Sequence, residues 1–252
     1  MVIIDYIGKV FYNTGISLAV LFLPSIVIAF IMQKFSDILR NRLASVLGVK
    51  GWVYLTAPGV MIHELSHALF CIIFRHKILD MELFNPREDG TLGYVNHAWN
   101  PKSLYQRIGN FFIGTGPIWG GCAMLALFSW WLLPDSMRMG MTPGECFQAF
   151  TTGFLSMRFW GDWHCWVWLY LAVTTASHIT LSPPDLKGAA DGAIVIVIVI
   201  FIANLFFSWH GTWAEQLWHY ELMLITKFFI AVMGALIVGL TLITLLFPFR
   251  KR

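Results

Sequence analysis

A chain of 252 residues that is 58% hydrophobic and only 12% charged is not built for water, where a domain is normally about half apolar and a quarter charged. Its formal charge of +3 is small and scattered, with no basic run beyond Arg250-Lys251-Arg252, which argues against nucleic acid as a partner. The four cysteines (Cys71, Cys122, Cys146, Cys165) have no C-x-x-C spacing, so neither a thiolate metal site nor a redox pair is indicated and packing is their reading.

Apolar blocks of about 20 residues, the length a bilayer core demands of a helix, predict spans at roughly 14–33, 52–74, 108–133, 163–181, 190–208 and 223–248. The first is too long for the core of a signal peptide and has no small-residue cleavage site, so it reads as a retained span. Twelve tryptophans suit the headgroup regions. The expectation is an all-α membrane protein of about six transmembrane helices, a single polytopic domain over residues 1–252 with the lipid bilayer as its solvent.

The longest polar insert follows the second span. Ile78-Leu79-Asp80-Met81-Glu82-Leu83-Phe84 alternates apolar and polar residues, residues 85–90 supply turn formers, and Thr91-Leu92-Gly93-Tyr94-Val95-Asn96-His97 alternates again. That pattern predicts a short β-hairpin between helices two and three. In the insert 134–162, Thr142-Pro143-Gly144-Glu145 reads as a helix start. With the N-terminus inside, ten of the 17 Lys and Arg fall on the inner side and seven on the outer, so both termini are expected in the cytoplasm.

Span two carries Met61-Ile62-His63-Glu64-Leu65-Ser66-His67-Ala68. Residues four apart share a helix face, so His63 and His67 can hold one zinc ion together. Glu64 stands beside them, where it can take a proton from the attacking water and return it to the leaving amine. Three ionisable groups within five residues of an apolar span are costly unless they have a function.

Two histidines leave zinc short of a third protein ligand. Ser182-Pro183-Pro184-Asp185 breaks the chain after span four and presents an acid, and irregular backbone at membrane depth is tolerated where it lines a cavity. Asp185 is therefore the first candidate; a carboxylate that merely caps span five is the competing reading. Glu215 and His219, one helical turn apart, form a rival pair. The charge count puts their loop outside, among Trp209, Trp213 and Trp218, where an interfacial role suits them. Asp191, His178 and His97 are weaker candidates, each more simply read as a structural group.

The combination resembles the site-2 protease family of intramembrane metalloproteases, in which H-E-x-x-H lies on a membrane helix, a β-hairpin follows, and an aspartate in a later segment completes the zinc site. The resemblance implies His63, His67 and Asp185 as zinc ligands and Glu64 as catalytic base. It covers a catalytic core of roughly 52–190, with 14–33, 190–208 and 223–248 as additional helices. Gly114-Thr115-Gly116-Pro117 is similar to the family's Gly-Pro element. The chain departs from the family around the aspartate, where Asn-x-x-Pro-x-x-x-Leu-Asp-Gly is replaced by Pro184-Asp185-Leu186-Lys187-Gly188. No Asn stands at the expected spacing, and Ser182, His178 and Asn204 are unselected substitutes. Trp119, Gly120 and Gly121 stand where the family has an Asn after its Gly-Pro. A divergent member is expected.

The implied activity is hydrolysis of a membrane-protein or peptide substrate inside or beside the bilayer. A membrane helix hides its amides, so it must be unwound first, and an exposed strand edge can hold the unwound segment. Thr91 to Asn96 is the expected edge, with Thr91, Gly93, Val95 and Asn96 as substrate-binding residues, against a hairpin that merely plugs the membrane face. The competing functions are a zinc peptidase of the prenyl-protein protease type, with Glu215 in place of Asp185, and a non-catalytic protease-like subunit that regulates a membrane protein. A metal transporter would need polar residues spread along several spans, and spans one, five and six are nearly bare of them. Compactness points to a bacterial plasma membrane.

Overall fold

The computed structural model describes residues 2–134, 143–208, 219 and 223. Glu215 and nearly all of the sixth expected span, 223–248, lie outside the described residues. What is described is mostly helical, with one two-stranded antiparallel sheet. In chain order it comprises α1 (Val2–Leu55), α2 (Ala57–Ile73), β1 (Lys77–Glu82), β2 (Tyr94–Ala98), α3 (Leu104–Gly114), α4 (Gly116–Leu132), α5 (Pro143–Leu155), α6 (Met157–Gly161), α7 (Trp163–Ser177) and α8 (Pro183–Phe207). Among the described residues, two stretches, Ile3–Leu23 and Pro183–Phe207, are long and apolar enough to cross a membrane, and four are if each bent helix pair counts as one span. Ile3, Phe11, Ile194, Ile202 and Phe206 are all exposed, the kind of apolar face that lipid covers.

The expected span boundaries shift, and each shift has a local cause. The first apolar stretch begins near residue 3 rather than 14 because polar Asn13 is buried inside it, its Nδ2 donating to Ser208 Oγ at 3.1 Å and tying α1 to the end of α8. Gly48, at φ 75 and ψ 165, turns α1 where a side chain would be strained. The second expected span is bent by 42° at Thr56, just ahead of Pro58, and the third by 60° at Thr115, just ahead of Pro117. Proline lacks the N–H that a continuous helix needs, so each break sits where the sequence puts a proline into the first turn of the next helix. The fifth expected span begins at Pro183, not 190, because Ser182 caps α8 and Pro183 and Pro184 fill its first turn.

Two buried clusters organise the bundle. Met32, Leu39, Ile118, Phe128, Trp168 and Ile179 join α1, α4 and α7, with Trp168 Nε1 donating to Ser129 Oγ at 3.0 Å so that the buried indole keeps a partner. Phe111, Ala189 and Ile196, with Phe22 against them, join α3, α8 and α1. The helix carrying His63 and His67 packs closely on α4. A β-carbon at Gly120 would overlap Ser66, whose hydroxyl turns back to donate to Ile62 O at 2.6 Å. Small residues at such crossings let helix backbones approach in lipid, where no hydrophobic force drives them together.

The hairpin forms as expected but with shifted strands. β1 and β2 pair antiparallel from Lys77 opposite Ala98 to Glu82 opposite Tyr94, with an irregularity between Ile78 and Asp80. Thr91, Leu92 and Gly93 precede the second strand rather than belonging to it, although Thr91 O and Leu92 O still accept from Arg87 N and Asn85 N.

Candidate metal centre

The centre is built where α2 meets two helix breaks, the one between α3 and α4 and the one between α7 and α8. His63 and His67 stand on one face of α2, as their spacing of four requires, and their Nε2 atoms lie 3.2 Å apart. Asp185 comes from the first turn of α8. Its Oδ1 lies 3.4 Å from His67 Nε2, and its Oδ2 lies 3.9 Å from His63 Nε2. One ligand atom from each of His63, His67 and Asp185 falls within 4.8 Å of the others, so this group can hold a metal ion. Among the described residues it is the only such group of three or more.

Each imidazole is oriented through its other nitrogen. His63 Nδ1 lies 2.8 Å from His178 O, and His67 Nδ1 lies 2.7 Å from Ile113 O. A carbonyl can only accept, so both histidines carry the proton on Nδ1 and present a bare Nε2 to the centre. The fit to a cation follows from this donor set: two imidazole lone pairs and a carboxylate converge with no protein cation between them.

The carbonyls are available because of the breaks. In a continuous helix Ile113 O would accept from the N–H four residues on, but that residue is Pro117, which has none. His178 O lies just past the end of α7, and the N–H four residues on, that of Ser182, goes instead to Asp185 Oδ2 at 2.8 Å. These two backbone carbonyls are functional groups that inspection of side chains misses. The proline four residues after Ile113 and the Ser-Pro-Pro run after His178 are the signals that could have found them.

Asp185 takes the capping role that the sequence left as one alternative, from a position that also faces the two histidines. Ser182 N and Ser182 Oγ both donate to its Oδ2, at 2.8 and 2.6 Å, while Asp185 N donates back to Ser182 Oγ at 3.4 Å, which completes a capping box. It is a helix-capping carboxylate, and the same cap fixes its rotamer so that it faces the two histidines.

Glu64, buried, shares a cavity of about 540 Å³ with the cluster. The other walls are the hairpin from Thr91 to His97, Asn110 and Gly114 of α3, and Ser182 and Gly188 at the start of α8. Thr91, Gly93, Val95 and Asn96 all line it. A β-carbon at Gly93 would stand 2.8 Å from both Glu64 Cγ and Glu82 O, so the hairpin backbone packs directly over the glutamate.

The weaker candidates go elsewhere. Asp191 is held by Arg107 Nη2 at 2.9 Å and Asn110 Nδ2 at 3.1 Å. His178 contributes its carbonyl, while its ring stacks on Trp52 with centroids 6.0 Å apart. Asn204 lies far along α8, buried, donating to Ile200 O at 3.0 Å. His97 lines the cavity but bonds to His76 rather than joining the cluster. Among the four cysteines, Cys71 and Cys165 are buried and unpaired, as packing residues would be.

Compared with protein families, curated proteins and solved structures, the chain matches none.

Proposed function

We propose that this protein is an intramembrane zinc metalloprotease, a divergent relative of the site-2 protease family, which hydrolyses peptide bonds of membrane-spanning or membrane-proximal substrates. The observation that carries the reading is the meeting of His63, His67 and Asp185 from two separate helices, with Glu64 in the same cavity and a hairpin forming its wall. Two imidazoles and one carboxylate with a position left open is a common ligand set of catalytic zinc. Zinc held there would supply Lewis acidity, acidifying a water and polarising a peptide carbonyl.

The chain's own residues supply the rest. Asp185 brings negative charge to a dication, and its cap with Ser182 holds it in place without help from substrate. His178 O and Ile113 O keep both imidazoles in the required tautomer. Glu64 takes the proton from the attacking water and delivers it to the leaving amine, which balances the hydrolysis: the carbonyl carbon gains OH and the departing nitrogen gains H. The hairpin from Thr91 to Asn96 offers backbone to which an unwound segment of substrate can add.

The wider arrangement in this reading is six spans, both termini in the cytoplasm, and a bacterial plasma membrane. The test is a comparison of membrane proteomes from cells carrying the wild type and Glu64→Gln. A membrane protein should accumulate uncut in the variant. Identical proteomes together with undiminished peptidase activity of purified Glu64→Gln would dismiss the reading.

A further inference from the structure

His97 sits in the cavity wall without a place in the mechanism above. Its surroundings fix its chemistry. His76, buried beside it and stacked on Trp99, has its Nε2 2.8 Å from Gln106 O and must donate there. A neutral His76 therefore keeps a lone pair on Nδ1, which lies 3.1 Å from His97 Nδ1. His97 must put its own proton on Nδ1 to make that bond. Burial and the neighbouring His76 push the His97 imidazole down to about 4, so the ring is neutral near pH 7. The chain Gln106 O, His76, His97 thus leaves His97 Nε2 as a bare acceptor, with no partner among the described residues, on a ring that lines the metal cavity.

A peptide lying in that cavity brings backbone N–H groups that lose water as they enter, and a buried donor left unpaired is costly. The two carboxylates in the cavity walls are Glu64, reserved for the attacking water, and Asp185, held by Ser182 and turned to the histidines. We infer that His97 is a substrate-binding residue whose Nε2 accepts a hydrogen bond from a backbone N–H of the bound peptide segment. The inference rests on the zinc-protease reading and extends it: the residue acts on substrate binding through an orientation set by His76 and Gln106, and it leaves the metal alone.

The test uses detergent-solubilised full-length protein and two zinc-binding probes, acetohydroxamate, which reaches only the ion, and a peptidyl hydroxamate, which also fills the cavity. His97→Phe should keep its zinc and its affinity for acetohydroxamate while binding the peptidyl hydroxamate roughly five- to tenfold more weakly, the size of one net hydrogen bond. His97→Gln, whose amide oxygen can accept, should recover part of the loss. Equal affinities of wild type and His97→Phe for the peptidyl probe would overturn the inference. So would a second metal ion present in the wild type and lost in His97→Phe, which would make Nδ1 a ligand. Failure of both hydroxamates to bind the wild type would remove the zinc-protease reading and this inference with it. Should His97→Phe not fold, N-methylated peptidyl hydroxamates decide: one methyl must cost the wild type more than it costs His97→Gln, and equal costs at every position refute the contact.

Discussion

Gly93 leaves no room for a side chain over Glu64: a β-carbon there would lie 2.8 Å from Glu64 Cγ, with Glu82 O and Leu83 O at 2.8 and 2.9 Å on its other sides. Backbone oxygens yield less readily than a side chain, so Gly93→Ala should move Glu64 before it moves the hairpin. The overpacking costs about 1–3 kcal/mol. The expected result is a well-folded protein with full metal content and at least tenfold lower peptidase activity. Activity equal to wild type would show that Glu64 can shift without consequence.

Purified protein should carry about one zinc per chain. His63→Ala and His67→Ala should each lose it, whereas Glu64→Gln should retain the metal and lose activity, because the amide keeps the shape and cannot carry the proton. Metal analysis and peptide cleavage on the same preparations check this. Cleavage by Glu64→Gln would end the assignment of Glu64 as base.

Asp185→Ala should strip most of the metal, and Asp185→Asn should retain more of it while remaining poorly active, since Asn keeps an oxygen and drops the charge. Ser182→Ala removes one of the two donors to Asp185 Oδ2 and leaves the other, from Ser182 N. Its expected loss is about tenfold in zinc affinity, the lower end of what orienting partners contribute. Wild-type behaviour of Asp185→Ala combined with loss of zinc in Glu215→Ala would transfer the third ligand to Glu215 and favour the prenyl-protein protease type.

The hairpin faces the cytoplasm in the proposed topology. A cysteine at the exposed Asp89, in a background without the native cysteines, should resist a membrane-impermeant thiol reagent in intact cells and react after lysis. Labelling from outside would invert the topology.

His63, Glu64 and His67 were legible because three ionisable groups at helical spacing are costly in an apolar run unless they have a function. The hairpin was legible because period-two alternation around a turn is a local signal. Asp185 was legible only as one candidate among several, since sequence cannot say that α8 begins at Pro183 and aims its first turn at α2. The breaks at Thr56 and Thr115 were hidden by the same hydropathy that revealed the spans, because a window average is blind to a single missing N–H. His76 drew no notice, because what gives it a role is Gln106 O, a backbone atom thirty residues away.

Both imidazoles of the candidate centre lean on main-chain oxygen rather than on a side chain. At position 113 the supporting atom is common to every residue type, so replacing Ile113 by Val or Leu should be almost silent, and a substitution scan would score the position as ordinary packing. The support is instead encoded four residues away. Pro117→Ala restores an N–H that competes for the same carbonyl, and a helix running straight through Thr115 would withdraw that oxygen from His67. Tolerance at the atom in contact, paired with sensitivity at a proline four residues further along the chain, is the pattern this arrangement would leave in a collection of variants.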